Sequence, residues 1–176
     1  MQDGDLLLID IGAEYANYNA DITRVVPING KFSPRQGEVY QAVLNIMKEA
    51  KKILQIGSTL QEYHQNLSEI ITEQLLQIRL FSKHDILKQD KKNPLYKRYC
   101  MHGISHYLGL DVHDIGSIHE KFVPGMVFTI EPGIYIPEEN IGIRLENDVV
   151  IQQNGTKDLT QNIPLEIEAV EEAMHS

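Results

Sequence analysis

Apolar and polar positions along this chain switch between two periods, and the switches mark its elements. The turn signal Asp3-Gly4 is followed at once by LLLIDIG, a run with the length and branching of a buried strand. A second extended stretch, Ala20 to Ile28, closes on the turn pair Asn29-Gly30, and the two strands are expected to pair. Ser33-Pro34-Arg35-Gln36 then combines a capping hydroxyl, a proline at the first helical position and a glutamine three residues on. A helix is predicted from there, because Val39, Val43, Ile46, Met47, Ala50, Ile53 and Leu54 recur at threes and fours until Gly57 stops it. Thr59 and Glu62 repeat the capping box. Tyr63, Leu67, Ile70, Ile71 and Ile78 then give a second amphipathic helix ending near Leu80, so the two form a helical hairpin.

The stretch KHDILKQDKKNPLYKR holds six of the sixteen Lys and Arg residues and is broken by Pro94, which reads as a solvated loop. From Met101 the texture becomes glycine-punctuated and β-branched, through HGISHYLGLDVHD, MVFTIEPGIYI and IGIRLENDVVIQ, and reads as sheet. Pro164 is expected to open a closing helix through Leu165, Ile167, Glu168 and Val170. Strands and helices in this order predict an α+β fold.

Composition narrows the functions available. With 176 residues, 42% hydrophobic and 23% charged, the chain has the size and make-up of one globular domain able to bury a core. A net charge of -9 repels phosphate backbones and anionic lipid, so no nucleic-acid or membrane partner is expected. No apolar run approaches the roughly 20 residues of a membrane span, and the N-terminus has no secretion pattern, so the cytoplasm is the expected compartment. The lone Cys100 excludes an internal disulfide and a cysteine-ligated zinc site, and reads as an ordinary partly buried thiol.

Five groups do not belong in apolar strands unless something compensates them: Asp10, Asp21, His106, Glu131 and Glu146. Period-2 geometry places Leu6, Leu8 and Asp10 on one face, Val127, Thr129 and Glu131 on another, and Arg144, Glu146 and Asp148 on a third. Each of the five is expected to face inward. Four converging carboxylates would mostly protonate unless divalent cations lay among them, and two cations balance four carboxylates. An oxygen-rich set with one imidazole suits manganese first, then cobalt, iron or zinc. Two such ions can share a water of lowered pKa and polarise a carbonyl, which is the chemistry of acyl-bond hydrolysis. His102, His106 and His113 would share one helical face, but Gly103 and Gly109 argue against a helix there.

These segments resemble the aminopeptidase P family of pita-bread metallopeptidases, a group that includes prolidase and methionine aminopeptidase. HGISHYLGLDVHD is similar to the family's histidine signature throughout, and LLLIDIGAEYANYNADITR to its first metal-binding hairpin; TIEPGIYI and GIGIRLENDVVI complete the set. The resemblance implies a curved antiparallel sheet covered by helices and, for residues 1–176, part of a catalytic domain with two divalent metal ions. By the same resemblance Asp10 would hold one metal, Asp21 and Glu146 would bridge both, and His106 and Glu131 would hold the other. Glu131 would also be the general base, His102 and His113 would contact substrate, Arg144 would orient Asp10, and Tyr135 would line the site.

The implied reaction is hydrolysis of the N-terminal Xaa-Pro bond by a bridging hydroxide. The alternatives are a prolidase restricted to dipeptides and a metal-free pita-bread binding module. The family also has a histidine upstream of its first aspartate, whereas this chain begins nine residues before Asp10. It is therefore expected to be incomplete at the N-terminus, to bind metal yet turn over slowly or not at all, and to form homo-oligomers through exposed core surface.

Overall fold

A computed structural model describes residues 1–175 of the chain. Strand β1 (Leu6–Ile11) leads through the short strands β2 (Glu14–Tyr15) and β3 (Tyr18–Asn19) into β4 (Ile22–Pro27). β1 and β4 pair antiparallel as expected, with Asp10 opposite Thr23. The β2–β3 turn puts Ala16 and Asn17 at φ 53° and 65°, the left-handed geometry that a two-residue hairpin loop demands. β1 is not the buried strand that its apolar run predicts. Leu6 and Leu8 are half-buried, while Ile9, Asp10 and Ile11 are exposed, because among the described residues β1 has β4 as its one strand neighbour.

Both capping boxes form. Helix α1 (Pro34–Ile53) starts at Ser33 and Gln36, and α2 (Leu60–Gln77) at Thr59 and Glu62. Val39, Tyr40, Val43, Leu44, Ile46 and Met47 form the buried face of α1, which packs between α2 and the sheets. The expected solvated loop instead contains α3 (Lys83–Lys88) and a 3-10 turn at Leu95–Arg98. A third capping box, Ser82 with Asp85, starts α3 where apolar periodicity is too short to register.

β5 (Val127–Ile130), β6 (Gly133–Ile136), β7 (Ile141–Arg144), β8 (Asn147–Gln152) and β9 (Gly155–Asp158) follow. They pair antiparallel as β5-β8-β9 and β6-β7. The expected sheet over HGISHYLGLDVHD is replaced by an irregular loop. Tyr107 forms one bridge with Phe128, and the backbone runs beside β5 only through Leu108 N–H to Val127 O, Thr129 N–H to His106 O and Glu131 N–H to Ile104 O. The closing helix α4 (Ile167–Met174) begins three residues after Pro164. The carbonyls of Pro164 and Leu165 are taken by Arg24 Nε at 2.8 Å and the Tyr40 hydroxyl at 2.8 Å, which hold that segment extended. No helix among the described residues is long and apolar enough to cross a membrane.

Candidate metal centre

The β1–β4 pair sets two aspartates at one end. Asp10 lies on β1 and Asp21 immediately before β4, and Gly12 lets the chain close on itself, since a Cβ there would collide with the Ala20 carbonyl. Glu131 follows the end of β5, and Glu146 sits between β7 and β8 rather than inside a strand. One backbone and one side-chain bond tie these segments together: Glu146 N–H donates to Thr23 O at 3.0 Å, and Arg24 Nη1 donates to Glu146 O at 2.6 Å. Asp21, His106 and Glu146 each present a donor atom within 4.8 Å of the other two. Asp10 joins the cluster through Arg144 and Asp21 but is the more open of these groups, with its side chain 43% exposed.

His106 Nδ1 faces the Tyr107 carbonyl at 2.9 Å, so that nitrogen carries the proton and Nε2 presents a lone pair to the carboxylates. Nε2 lies 3.6 Å from Glu131 Oε1 and 3.8 Å from Asp21 Oδ2. Both distances exceed a hydrogen bond, and burial lowers the His106 pKa, so the ring is neutral and these are not ion pairs. Burial, then Asp10, raises the Asp21 pKa. Burial pushes Glu131 up to about 7 against the opposing pull of Arg144, with Asp21 and Asp10 adding to the rise. Glu146 goes to about 8, through burial first and then Glu131, Asp21 and Asp10, while its bond from Thr23 opposes the rise. Glu146 Oε2 accepts from the Thr23 hydroxyl at 2.7 Å, but Oε1 is buried without a partner. An orphaned carboxylate oxygen, a donor-free imidazole nitrogen and mutually repelling carboxyls are what a divalent cation relieves, so these residues fit a metal ion.

A second network borders the cluster. Arg144 lies opposite Gly133 in the β6–β7 register and donates to Asp10 Oδ2, to Thr23 Oγ1 at 3.3 Å and to the Tyr135 hydroxyl at 2.9 Å. Tyr135 Oη in turn sits 2.7 Å from His102 Nε2, and His102 Nδ1 faces the Gly103 carbonyl at 2.7 Å. In the neutral ring Nδ1–H donates to that carbonyl and Nε2 accepts the tyrosine proton, so both nitrogens are engaged within the protein. Gly133 is required here, since a Cβ would lie 2.6 Å from Tyr135 Oη and 2.8 Å from His102 Nε2. The His113 ring packs on His106 at a centroid distance of 4.3 Å. All nine residues singled out from the sequence therefore lie in one connected region.

Sequence reasoning missed several residues of that region. Thr23 and Arg24, buried in β4, carry the Glu146 contacts; polar residues inside an apolar strand were the available signal. Asp148, 4% exposed, accepts the Asp21 N–H at 3.1 Å and keeps Oδ1 buried without a partner. The period-2 reading set it on one face with Glu146 but gave it no part in the site. Elsewhere, a groove of about 900 Å³ beside α1 and β9 is lined by Lys48, Lys51 and Lys52, but each is already paired with a carboxylate, which removes the charge an anion would need.

A family model described as metallopeptidase family M24 matches residues 1–153. The chain belongs to metallopeptidase family M24. Among its relatives, the Xaa-Pro aminopeptidase of Haemophilus influenzae is 39% identical over 99% of this chain and 43% of its own length. The Xaa-Pro aminopeptidase of Escherichia coli is 40% identical over 97% of this chain and 42% of its own. The structure of Escherichia coli aminopeptidase P with the inhibitor Pro-Leu superposes with a TM-score of 0.87 at 38% identity, covering 99% of this chain and 42% of that one. The M24 chain thus has the mixed helix and antiparallel-sheet architecture of the pita-bread fold, and spans about two fifths of the length of these relatives.

Proposed function

We propose that residues 1–176 are part of the catalytic domain of a metal-dependent Xaa-Pro aminopeptidase, which removes the first residue from peptides with proline second. The observation that carries this reading is the convergence of Asp21, His106 and Glu146, with Glu131 and Asp10 beside them, together with a buried Glu146 oxygen that has no partner. The printed names of relatives at about 40% identity support the substrate class. Asp10 would hold one ion, Asp21 and Glu146 would be shared, and His106 and Glu131 would hold the other. Manganese is the proposed occupant, with cobalt, iron or zinc as substitutes for an oxygen-rich set. The bound pair would supply carbonyl polarisation and a water of lowered pKa.

The chain's own groups do the remaining work. Glu131 takes a proton from the attacking water and returns it to the leaving proline nitrogen, which has no N–H of its own. His113 donates to the substrate oxygen as it becomes negative. Arg144 holds Asp10 in place, and the Tyr135 hydroxyl ties Arg144 to His102. Substrate contact by His102 requires its Nε2 to exchange Tyr135 for the peptide. The lone buried thiol and the net charge of -9 support a cytoplasmic enzyme without nucleic-acid or membrane partners.

The test is Mn²⁺-dependent release of the first residue from an Xaa-Pro tripeptide by a polypeptide carrying this chain over the full length of its relatives. Absence of release with metal bound overturns the reading. Cleavage of Xaa-Pro dipeptides but not tripeptides would reassign the enzyme as a prolidase, and binding of the peptide without cleavage would leave a docking module. Size exclusion at several concentrations tests homo-oligomer formation.

A further inference from the structure

Between Asp10 and Asp21 the chain makes the β2–β3 excursion, whose second strand, β3, docks on the loop separating His106 from His113. Asn19 donates its backbone N–H to Gly109 O at 2.8 Å. Its side-chain amide donates to Leu110 O at 2.8 Å and to Gly109 O at 3.3 Å, and the Tyr18 hydroxyl donates to Leu108 O at 3.0 Å. Both partners of the amide are carbonyls, so its NH₂ group must face the loop.

The start of the loop is held independently, since Leu108 is buried and bonds to Val127 and Tyr107 packs on Phe128, but beyond Leu108 little else holds it: Leu110, Val112 and Ile115 are exposed at 69%, 40% and 92%, so burial contributes little there. Its internal backbone–backbone bonds include Gly109 N–H to Asp111 O at 3.1 Å and Asp114 N–H to Tyr107 O at 3.0 Å. The excursion itself is closed by Ala20 N–H to Ala13 O at 2.9 Å, so it presents Asn19 from a braced hairpin.

We infer that Asn19, assisted by Tyr18, is a positioning residue. It clasps the loop of His106 and His113 to the strand pair of Asp10 and Asp21, so that imidazole and carboxylates share one geometry before an ion arrives. The inference rests on the metal-centre reading. Without the clasp, the loop beyond Leu108 is ordered only on binding, and that ordering is subtracted from affinity.

The test uses Co²⁺ as probe with the full chain and its variants Asn19→Ala, Asn19→Asp and Tyr18→Phe. Removing a group that orients ligands weakens metal binding about 10- to 100-fold. Asn19→Ala is expected at the lower end and Asn19→Asp at the higher, because a carboxylate would then face two carbonyl oxygens. The visible Co²⁺ ligand-field spectrum shifts, and amide exchange at Gly109 and Asp114 accelerates. Tyr18→Phe, which deletes one hydroxyl, is expected to show a smaller effect of the same kind and keeps the test open should Asn19→Asp fail to fold. Unchanged Co²⁺ affinity and spectrum in folded variants overturn the clasp while leaving the metal centre intact. Failure of the unsubstituted chain to bind Co²⁺ overturns the metal-centre reading and the clasp with it.

Discussion

Adding a divalent cation to the metal-free chain should release protons, and the number is set by the buried carboxyls. Glu131 and Glu146 rise from 4.5 to about 7 and about 8, chiefly because burial disfavours their charged forms. At pH 6.5 both are mainly protonated, and a cation that needs them ionised expels most of their two protons; at pH 9 both are mainly ionised and it expels almost none from this pair. Stability follows the same linkage. Because the folded pKa values lie above the unfolded ones, the stability is fully present below pH 4.5 and is lost as pH rises through about 7 and about 8. For Glu131 alone, the rise from 4.5 to about 7 corresponds to about 3 kcal/mol at high pH. Calorimetric titration of Mn²⁺ in buffers of different ionisation enthalpy counts the protons, and melting of the metal-free chain from pH 5 to pH 9 follows the stability. Glu146→Gln should flatten the loss with pH while weakening Mn²⁺ binding. Equal proton release at both pH values, or a metal-free chain that becomes more stable as pH rises, would refute the reasoning.

Glu131→Gln preserves shape but removes the proposed base and a ligand charge, so kcat in the full-length enzyme should fall at least about 10²- to 10⁴-fold, read from first-residue release. Arg144→Leu leaves Asp10, Thr23 and Tyr135 without their shared donor and should weaken Mn²⁺ affinity about 10- to 100-fold, measured by competition with a chelator. Phe128→Ala empties a fully buried site between Tyr107 and Phe122 and should cost about 3–5 kcal/mol in denaturant unfolding.

What the sequence alone determined is local or strictly periodic. The capping boxes at Ser33 and Thr59 and the threes-and-fours spacing place α1 and α2 because such signals depend only on neighbouring residues. Carboxylates inside apolar runs singled out the acidic cluster because an unpaired buried charge is too unfavourable to be incidental. Tertiary structure decided the rest. The neighbours of β1 come from elsewhere in space, so its apolar run could not reveal that Ile9 to Ile11 are exposed. The histidine segment has strand-like residues, yet its bonding to β5 lasts only as far as Leu108 before the chain turns toward Asn19. Hydrogen bonds such as Tyr135 to His102 join residues 33 positions apart and depend on direction as much as residue type. Residue type and spacing therefore supplied the donor atoms, while packing determined which lone pairs face one another and which stay without a partner.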